Sequence, residues 1–515
     1  MNTAARITSR QRKKKTSPGR PEFDVAIIGS GFAGLCMAIK LKEQGRDNFV
    51  ILERAQDVGG TWRDNQYPGA ACDVPSHLYS FSFAPNPDWS RKYPTQPELY
   101  AYLRKIAADY DLLRHIRFDN TLEAAQYDED NRLWAVRTSQ GSLTSRALVM
   151  GNGGLAEPKL PEIPGVETFQ GKTFHSSRWD HEYELSGKRV AVIGTGASAI
   201  QLVPEVAKVA GQLDVYQRTP NWIIPRPDRG YSGLEKTLFR RIPASRRLHR
   251  NAIYWSHEAR VMGLVLHPAL MKVFQKVAER HIRKQVKDPV LRDQVTPDYT
   301  IGCKRILISN DWYPALQKPH VSLVTDGIRE IRPHSIVAAD GQEREIDAII
   351  YSTGFYATEN PIASAVTGRN GQTLADVWQD GEEAYLGSLV SGFPNLFLIV
   401  GPNTGLGHSS MVFMIETQAS YIMRLLGEMD TQASQTLEVR ESVQQDYNAR
   451  LQARLGNSIW ATGCDSWYKH KSGKITALWP GFTFQFWLRA RRFDRQDYLF
   501  DGQEVSGKAP LGATV

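Results

Sequence analysis

Two glycine-rich loops, Gly29-Ser30-Gly31-Phe32-Ala33-Gly34 and Gly194-Thr195-Gly196-Ala197-Ser198-Ala199, are each followed, 24 positions after the first glycine, by a residue able to choose a nucleotide: Glu53 and Arg218. Glycines at this spacing let the backbone turn tightly and approach a pyrophosphate, which the free amides of the next helix then bind. A carboxylate at the end of the second strand accepts hydrogen bonds from ribose hydroxyls and repels a 2′-phosphate. A guanidinium holds that phosphate with a bidentate contact. The chain therefore reads as binding two different dinucleotides.

The elements that must position these loops are present on both sides of each. Phe23, Asp24, Val25, Ala26, Ile27 and Ile28 form an apolar, β-branched run into the first glycines, and residues 35–41 continue with helical spacing. Arg189, Val190, Ala191, Val192 and Ile193 lead into the second loop, with Ile200, Leu202 and Val203 on the helix beyond. Ala199 stands where the third glycine would be, a position that requires only close packing of helix on strand.

With 515 residues, 41% hydrophobic and 10% aromatic, the chain has room for two or three globular domains. The net charge is +8, but residues 1–21 carry seven Lys and Arg and no acid, which leaves about +1 for the rest. That stretch reads as a disordered basic leader, residues 1–21, rather than a nucleic-acid or membrane anchor. No run of 18 apolar residues occurs, so no membrane span is expected. Cys36, Cys72, Cys303 and Cys464 form no CxxC pair, which argues against a metal site, a disulfide framework and a dithiol redox centre. The expected compartment is the cytosol.

Residues 58–97, rich in Gly, Pro and aromatics, read as a long ordered loop that holds something. A helix is expected over 98–109, hairpin-like strands over 122–148, and a hinge over 158–164. Buried strands ending in glycine are expected near 347–354 and 396–401, both rejoining the first sheet. The fold class is α/β, with two Rossmann-like dinucleotide-binding domains. The first comprises residues 22–164 and 334–515; the second, residues 165–333, is inserted into it and carries a basic, largely helical insertion over about 229–295 that includes residues 251–276. A further helix over 411–426 has Ser409 or Ser410 as N-cap, and its start fits an ordinary cap and an approach to a cofactor equally well.

Between the two loops, Phe169, Gly171, His175, Trp179 and Asp180 match the pattern FxGxxxHxxxW(P/D). Gly59, Gly60, Trp62, Tyr67, Pro68, Gly69 and Asp73 match (A/G)GxWxxxx(F/Y)P(G/M)xxxD without a gap. Over residues 22–490 the chain thus resembles the Baeyer-Villiger monooxygenases, a class of flavoproteins with two dinucleotide domains. The resemblance implies FAD on the first loop, NADPH on the second and O2 as third reactant. It also implies insertion of one oxygen beside a ketone carbonyl, through a C4a-peroxyflavin, to give an ester or lactone.

By the same resemblance, Arg305 stabilises the reacting oxygen anion and Asp73 positions it; a fixed cation in a dry site supplies several kcal/mol, on the order of magnitude seen for such donors. FAD contacts fall on Gly29, Ser30, Gly31, Gly34, Glu53, Thr61, Trp62, Arg63, Asp64, Asp73 and Tyr79. NADPH contacts fall on Gly194, Thr195, Gly196, Ala197, Ser198, Gln201, Arg218, Thr219 and Lys304, with Gln201 toward the nicotinamide. His175 reads as a buried histidine coupling the linker to NADP rather than a proton-transfer group. Trp467 and Tyr468 read as aromatic core, with a ketone pocket as the alternative. The nearest rival activity is nitrogen or sulfur oxidation by another class B flavin monooxygenase, and Trp179 favours the Baeyer-Villiger branch. Oligomeric state is left open by the sequence.

Overall fold

The computed structural model of the protein describes residues 20–504, so the basic leader lies almost wholly outside the described residues. The strand Phe23–Ile28 runs parallel to Phe49–Leu52 on one side and Gly141–Met150 on the other. Val25, Ala26, Ile27 and Ile28 are all buried, which is why this strand reads as a continuous apolar run instead of an alternating one. Ile116–Arg117 closes one edge of the sheet. On the other side Leu122–Asp128, Leu133–Thr138 and Gly141–Met150 form the expected antiparallel meander, Val366–Thr367 pairs at its rim, and Leu396–Leu398 pairs with Gly141–Met150.

The helix Phe32–Glu43 packs against this sheet and against the long helix Met411–Thr431. Leu35, Cys36, Met37, Ala38, Ile39 and Leu41 are completely buried, so the helix is enclosed on nearly every face. Burial of each larger side chain stabilises by about 1.5–3 kcal/mol and fixes the direction in which the first glycine loop opens. Gln96–Asp109 begins at a capping box made by Thr95 and Glu98, close to the expected start.

The second sheet is all parallel, in the order Val321–Val324, Gln212–Tyr216, Arg189–Ile193, Ala348–Tyr351, Lys172–His175. One expectation is corrected here. Ala348–Tyr351 does not rejoin the first sheet; it lies between Arg189–Ile193 and Lys172–His175, so the second sheet extends past the boundary expected at residue 333. A short buried run carries no mark of which sheet will accept it. The chain crosses back afterwards along its outgoing path, where the Lys159 N–H donates to the Gly354 carbonyl at 2.9 Å and the Tyr356 N–H to the Glu157 carbonyl at 3.0 Å.

The insertion contains the helices Gly233–Arg241, Pro243–Glu258, Met271–Gln285 and Pro289–Gln294. The helical pattern expected over 251–276 is broken by a wide turn, Met262–Leu266, and by Pro268, which has no N–H to continue a helix. The two arms bend by 116° at this elbow. Among the described residues no single helix is long and apolar enough to cross a membrane.

Candidate active site

The first loop is built so that only glycine fits. A Cβ at Gly34 would sit 1.8 Å from the Gly29 carbonyl oxygen, and Gly29 itself has φ +91°. Gly60, in the long ordered loop, approaches Gly31 so closely that a Cβ there would lie 3.2 Å from the Gly31 Cα. Two backbones thus form one cradle at the start of the helix Phe32–Glu43, the geometry a pyrophosphate requires.

Glu53, only 3% exposed, sits just past the end of Phe49–Leu52. The Ser30 N–H and hydroxyl donate to its Oε2 at 2.9 and 2.6 Å, and Arg63 pairs with its Oε1 at 2.9 Å. Arg63 also binds Asp64 at 2.8 Å and donates to the Asp57 carbonyl at 2.7 Å. Thr61 opens the short helix Thr61–Asp64, and the Trp62 indole donates to the Tyr79 hydroxyl at 3.3 Å. Of the residues expected around FAD, Glu53, Arg63 and Asp64 form one ion-paired group beside Thr61 and Trp62, and the charge of Asp73 reaches Tyr79.

In the second loop a Cβ at Gly194 would lie 2.5 Å from the Ser352 carbonyl oxygen, whereas Gly196 faces open space. The Asn221 side chain donates to the Thr195 carbonyl at 2.9 Å, and the Thr195 hydroxyl to the Thr219 carbonyl at 3.4 Å, joining the loop to the strand end that carries Arg218. Ala197 is exposed and Ser198 precedes the helix Ala199–Val206. Arg218 is 89% exposed, and its neighbours are Lys304 and, at 3.9 Å, Asp465. The Lys304 ammonium lies 5.0 Å above the Tyr299 ring; partial burial, with Arg218 adding to it, holds its pKa below the usual lysine value. Two cations converging on open space form a receptor for a phosphate.

Between the loops, Arg305 donates to Asp73 Oδ2 from Nη2 at 2.5 Å and from Nε at 3.1 Å. Both side chains are about one-third exposed. Burial pushes the Asp73 carboxyl up, but the charge and hydrogen bonds of Arg305 outweigh it and leave the pKa below the ordinary aspartate value. Asp73 in turn raises Arg305 further above the usual guanidinium value. The proton donors around them stay neutral: burial pushes the Tyr468 hydroxyl up to about 12 against the pull of Arg305, and burial together with Asp73 raises Cys72 well above the ordinary thiol value. A permanent cation held by a permanent anion is therefore left partly exposed.

Gln201, expected toward the nicotinamide, is tied within the protein to the first domain's long loop. Its Oε1 accepts from the Tyr67 hydroxyl at 2.9 Å and from the Ala71 N–H at 3.3 Å, and its Nε2 donates to the Ala71 carbonyl at 3.0 Å. It stitches the second glycine helix to the loop that bears Asp73, and a Cβ at Gly69 would lie 2.7 Å from its carbonyl oxygen, which explains the glycine there. His175 is 4% exposed, its Nδ1 accepts from the Ser177 N–H at 3.2 Å, and burial lowers its pKa to about 4. It is neutral at neutral pH, and its ring edge packs on Phe355.

A second expectation is overturned: Cys303 and Cys464 form a disulfide. The fold brings together two residues 161 positions apart, which no local spacing announces. The bridge ties the segment Cys464, Asp465, Ser466, Trp467, Tyr468 to Lys304 and Arg305. Tyr468 is 2% exposed and meets Trp460 edge to face, as core packing predicts, yet it also lies within the field of Arg305; Trp467 is half exposed. Asp465 was the site residue missed, since its only local signal is adjacency to Cys464. Cys36 and Cys72 remain free and buried, and among the described residues no group of His, Cys, Asp and Glu is arranged to hold a metal.

Two glycine cradles with opposite nucleotide readers and an anchored cation between them define a flavin-dependent oxidoreductase that draws on a phosphorylated nicotinamide. Residues 22–367 match the family model described as flavin-binding monooxygenase-like. The chain is 51% identical over 477 residues to a Baeyer-Villiger monooxygenase of Pseudomonas aeruginosa, covering 92% of this chain and 90% of that one. It is 48% identical to a Baeyer-Villiger monooxygenase of Streptomyces coelicolor, covering 92% of each. Among solved structures, OTEMO in complex with FAD and NADP superposes with a TM-score of 0.83 at 28% identity, covering 92% of this chain and 97% of that one. Oxidised steroid monooxygenase bound to NADP gives 0.81 at 31%, covering 91% and 97%. The chain belongs to the flavin-binding monooxygenase-like family and, within it, to the Baeyer-Villiger monooxygenases, enzymes dependent on FAD and NADPH.

Proposed function

We propose that this protein converts a small ketone to an ester or lactone at the cleft between the two glycine loops, using NADPH and O2. The observation that carries the reading is the Arg305–Asp73 pair, an ionised couple at 2.5 Å with the guanidinium open to that cleft. FAD is held by Gly29, Ser30, Gly31, Gly34 and Glu53, with Thr61, Trp62, Arg63, Asp64 and Tyr79 lining its side of the cleft. NADPH is held by Gly194, Thr195, Gly196, Ala197 and Ser198, with Arg218, Thr219 and Lys304 on its 2′-phosphate. The domain division follows: the first sheet carries FAD and the inserted second sheet carries NADPH. When bound, these groups supply hydride transfer and oxygen activation.

The chain's own residues do the rest. Arg305 faces the negative charge that develops on the reacting oxygen, and Asp73 keeps the guanidinium aimed without neutralising it, because both partners are fixed before reaction. Tyr468, Tyr79 and Cys72 hold their protons at neutral pH and so do not compete as anions. Gln201 and His175 position the two domains, and we assign neither a proton-transfer step. We read its compartment as the cytosol, where NADPH is supplied.

The test is incubation of the FAD-loaded protein with NADPH, isotopically labelled oxygen and a panel of linear ketones, cyclic ketones and thioethers, followed by mass spectrometry. An ester or lactone carrying one labelled oxygen is expected. Labelled sulfoxide or N-oxide without ester would assign the protein to heteroatom oxidation instead.

A further inference from the structure

The helical insertion carries an apolar face that the fold leaves uncovered. Of the 20 large hydrophobic residues exposed among the described residues, 11 fall between residues 234 and 277. On the elbow and the helix after it, Met262, Leu266, Leu270, Val273, Phe274 and Val277 all face solvent, Val273 being 63% exposed. The last four follow the i, i+3, i+4, i+7 spacing of a single helical stripe. Met271, Ala278 and Ile282 lie on the adjoining face and are buried, so the helix is anchored to the core without the stripe. Contiguous exposure of this kind marks an interaction surface.

The charge around it identifies the partner. Residues 229–295 contain fifteen Lys and Arg against five Asp and Glu, a net of +10 that exceeds the +8 of the whole chain. Lys272, Lys276, Arg280, Arg283 and Lys284 flank the stripe, all five are exposed, and no ion pair holds any of them among the described residues. Apolar side chains flanked by unpaired cations on one bent helical surface match an anionic lipid interface, in which the apolar face enters the headgroup region and the cations meet the lipid phosphates. A second copy of this chain docking by the same face would set the two cation rows against each other.

We propose that the elbow and the helix Met271–Gln285 dock this enzyme on the surface of an anionic bilayer. The buried side of the same element backs onto the catalytic segment: a Cβ at Gly302, three residues before Arg305, would lie 3.1 Å from Leu264 and 3.3 Å from Met271. Docking there brings the cleft next to the phase into which apolar ketones partition. That benefit rests on the ketone reading; the docking does not.

Flotation of the holoenzyme with vesicles tests it. At low salt the wild type floats with vesicles of phosphatidylglycerol and phosphatidylcholine in equal parts, and not with phosphatidylcholine alone. Val273→Asp with Phe274→Asp abolishes flotation, and Lys272→Gln with Lys276→Gln weakens binding roughly 25-fold, about fivefold per charge. Both variants keep bound flavin and turnover of a water-soluble ketone, since the side chains are exposed. Failure of the wild type to float, or equal flotation with neutral vesicles, overturns the proposal. So does flotation that survives both variants, as binding through the basic leader would give, or a dimer that Val273→Asp with Phe274→Asp dissociates.

Discussion

The two nucleotide readers sit at the same point of the same motif and in opposite surroundings. Glu53 is 3% exposed and already receives hydrogen bonds from Ser30, whereas Arg218 is 89% exposed and meets only a distant Asp465. A carboxylate enclosed in the core belongs to a cofactor that is part of the folded protein. A guanidinium left in water belongs to one that arrives and leaves with each turnover, because its desolvation cost falls due only on binding. On the proposed function the two halves of the duplicated unit have different jobs: the first holds a resident group, the second admits a co-substrate.

That contrast breaks most severely at the first loop. Gly34→Ala would place a methyl carbon 1.8 Å from the Gly29 carbonyl oxygen, so this variant should be destabilised by about 3 kcal/mol or more and purify without flavin. Full flavin absorbance in the purified variant would show that the cradle is not where FAD binds. At the second loop the expected loss is selective. Arg218→Ala should raise KM for NADPH by roughly tenfold to a hundredfold, the range for one charge-assisted contact, and leave NADH almost unchanged; equal losses for both would remove Arg218 from the 2′-phosphate.

A smaller effect concerns acid stability. His175 titrates at about 4 in the folded protein and near 6.5 when unfolded, because burial disfavours its charged form. As pH falls from 6.5 toward 4 the unfolded chain takes up a proton that the native state refuses, so stability present above pH 6.5 is lost on acidification, by at most about 3 kcal/mol from this residue. Thermal melts across that range should fall less steeply for His175→Gln than for wild type; parallel curves would mean His175 is not held neutral. The smallest effect sharpens the picture of the open reader. Asp465→Asn should lower KM for NADPH by about twofold to fivefold at low salt and by less at high salt, since an exposed carboxylate competes only weakly for Arg218. An unchanged KM at low salt would separate Asp465 from the phosphate site.

Legibility in the sequence follows the same divide between local and distant. Both loops, Glu53 and Arg218 are set within a few turns of chain, and each lies at the strand end or helix start into which its own sequence leads. Asp73 and Arg305, 232 positions apart, became legible together only through the family patterns. The Cys303–Cys464 bridge, Asp465 and the sheet chosen by Ala348–Tyr351 depend on which distant segments the fold brings side by side, and no periodicity records that. The stripe from Leu270 to Val277 shows the converse. Its helical spacing is plain in the sequence, but the same spacing describes a face turned to the core, and only the structure shows that it turns to solvent.

In the proposed function Arg305, held by Asp73, serves oxygen insertion and not the preceding reduction, and this division of labour can be measured. It is tested most directly by following two signals in one Arg305→Ala protein: bleaching of the flavin by NADPH without oxygen, and labelled ester formed from a ketone with oxygen. Bleaching is expected at the wild-type rate and ester formation slower by on the order of a hundredfold to a thousandfold, with NADPH consumption ending in hydrogen peroxide. Labelled ester formed at the wild-type rate would contradict it.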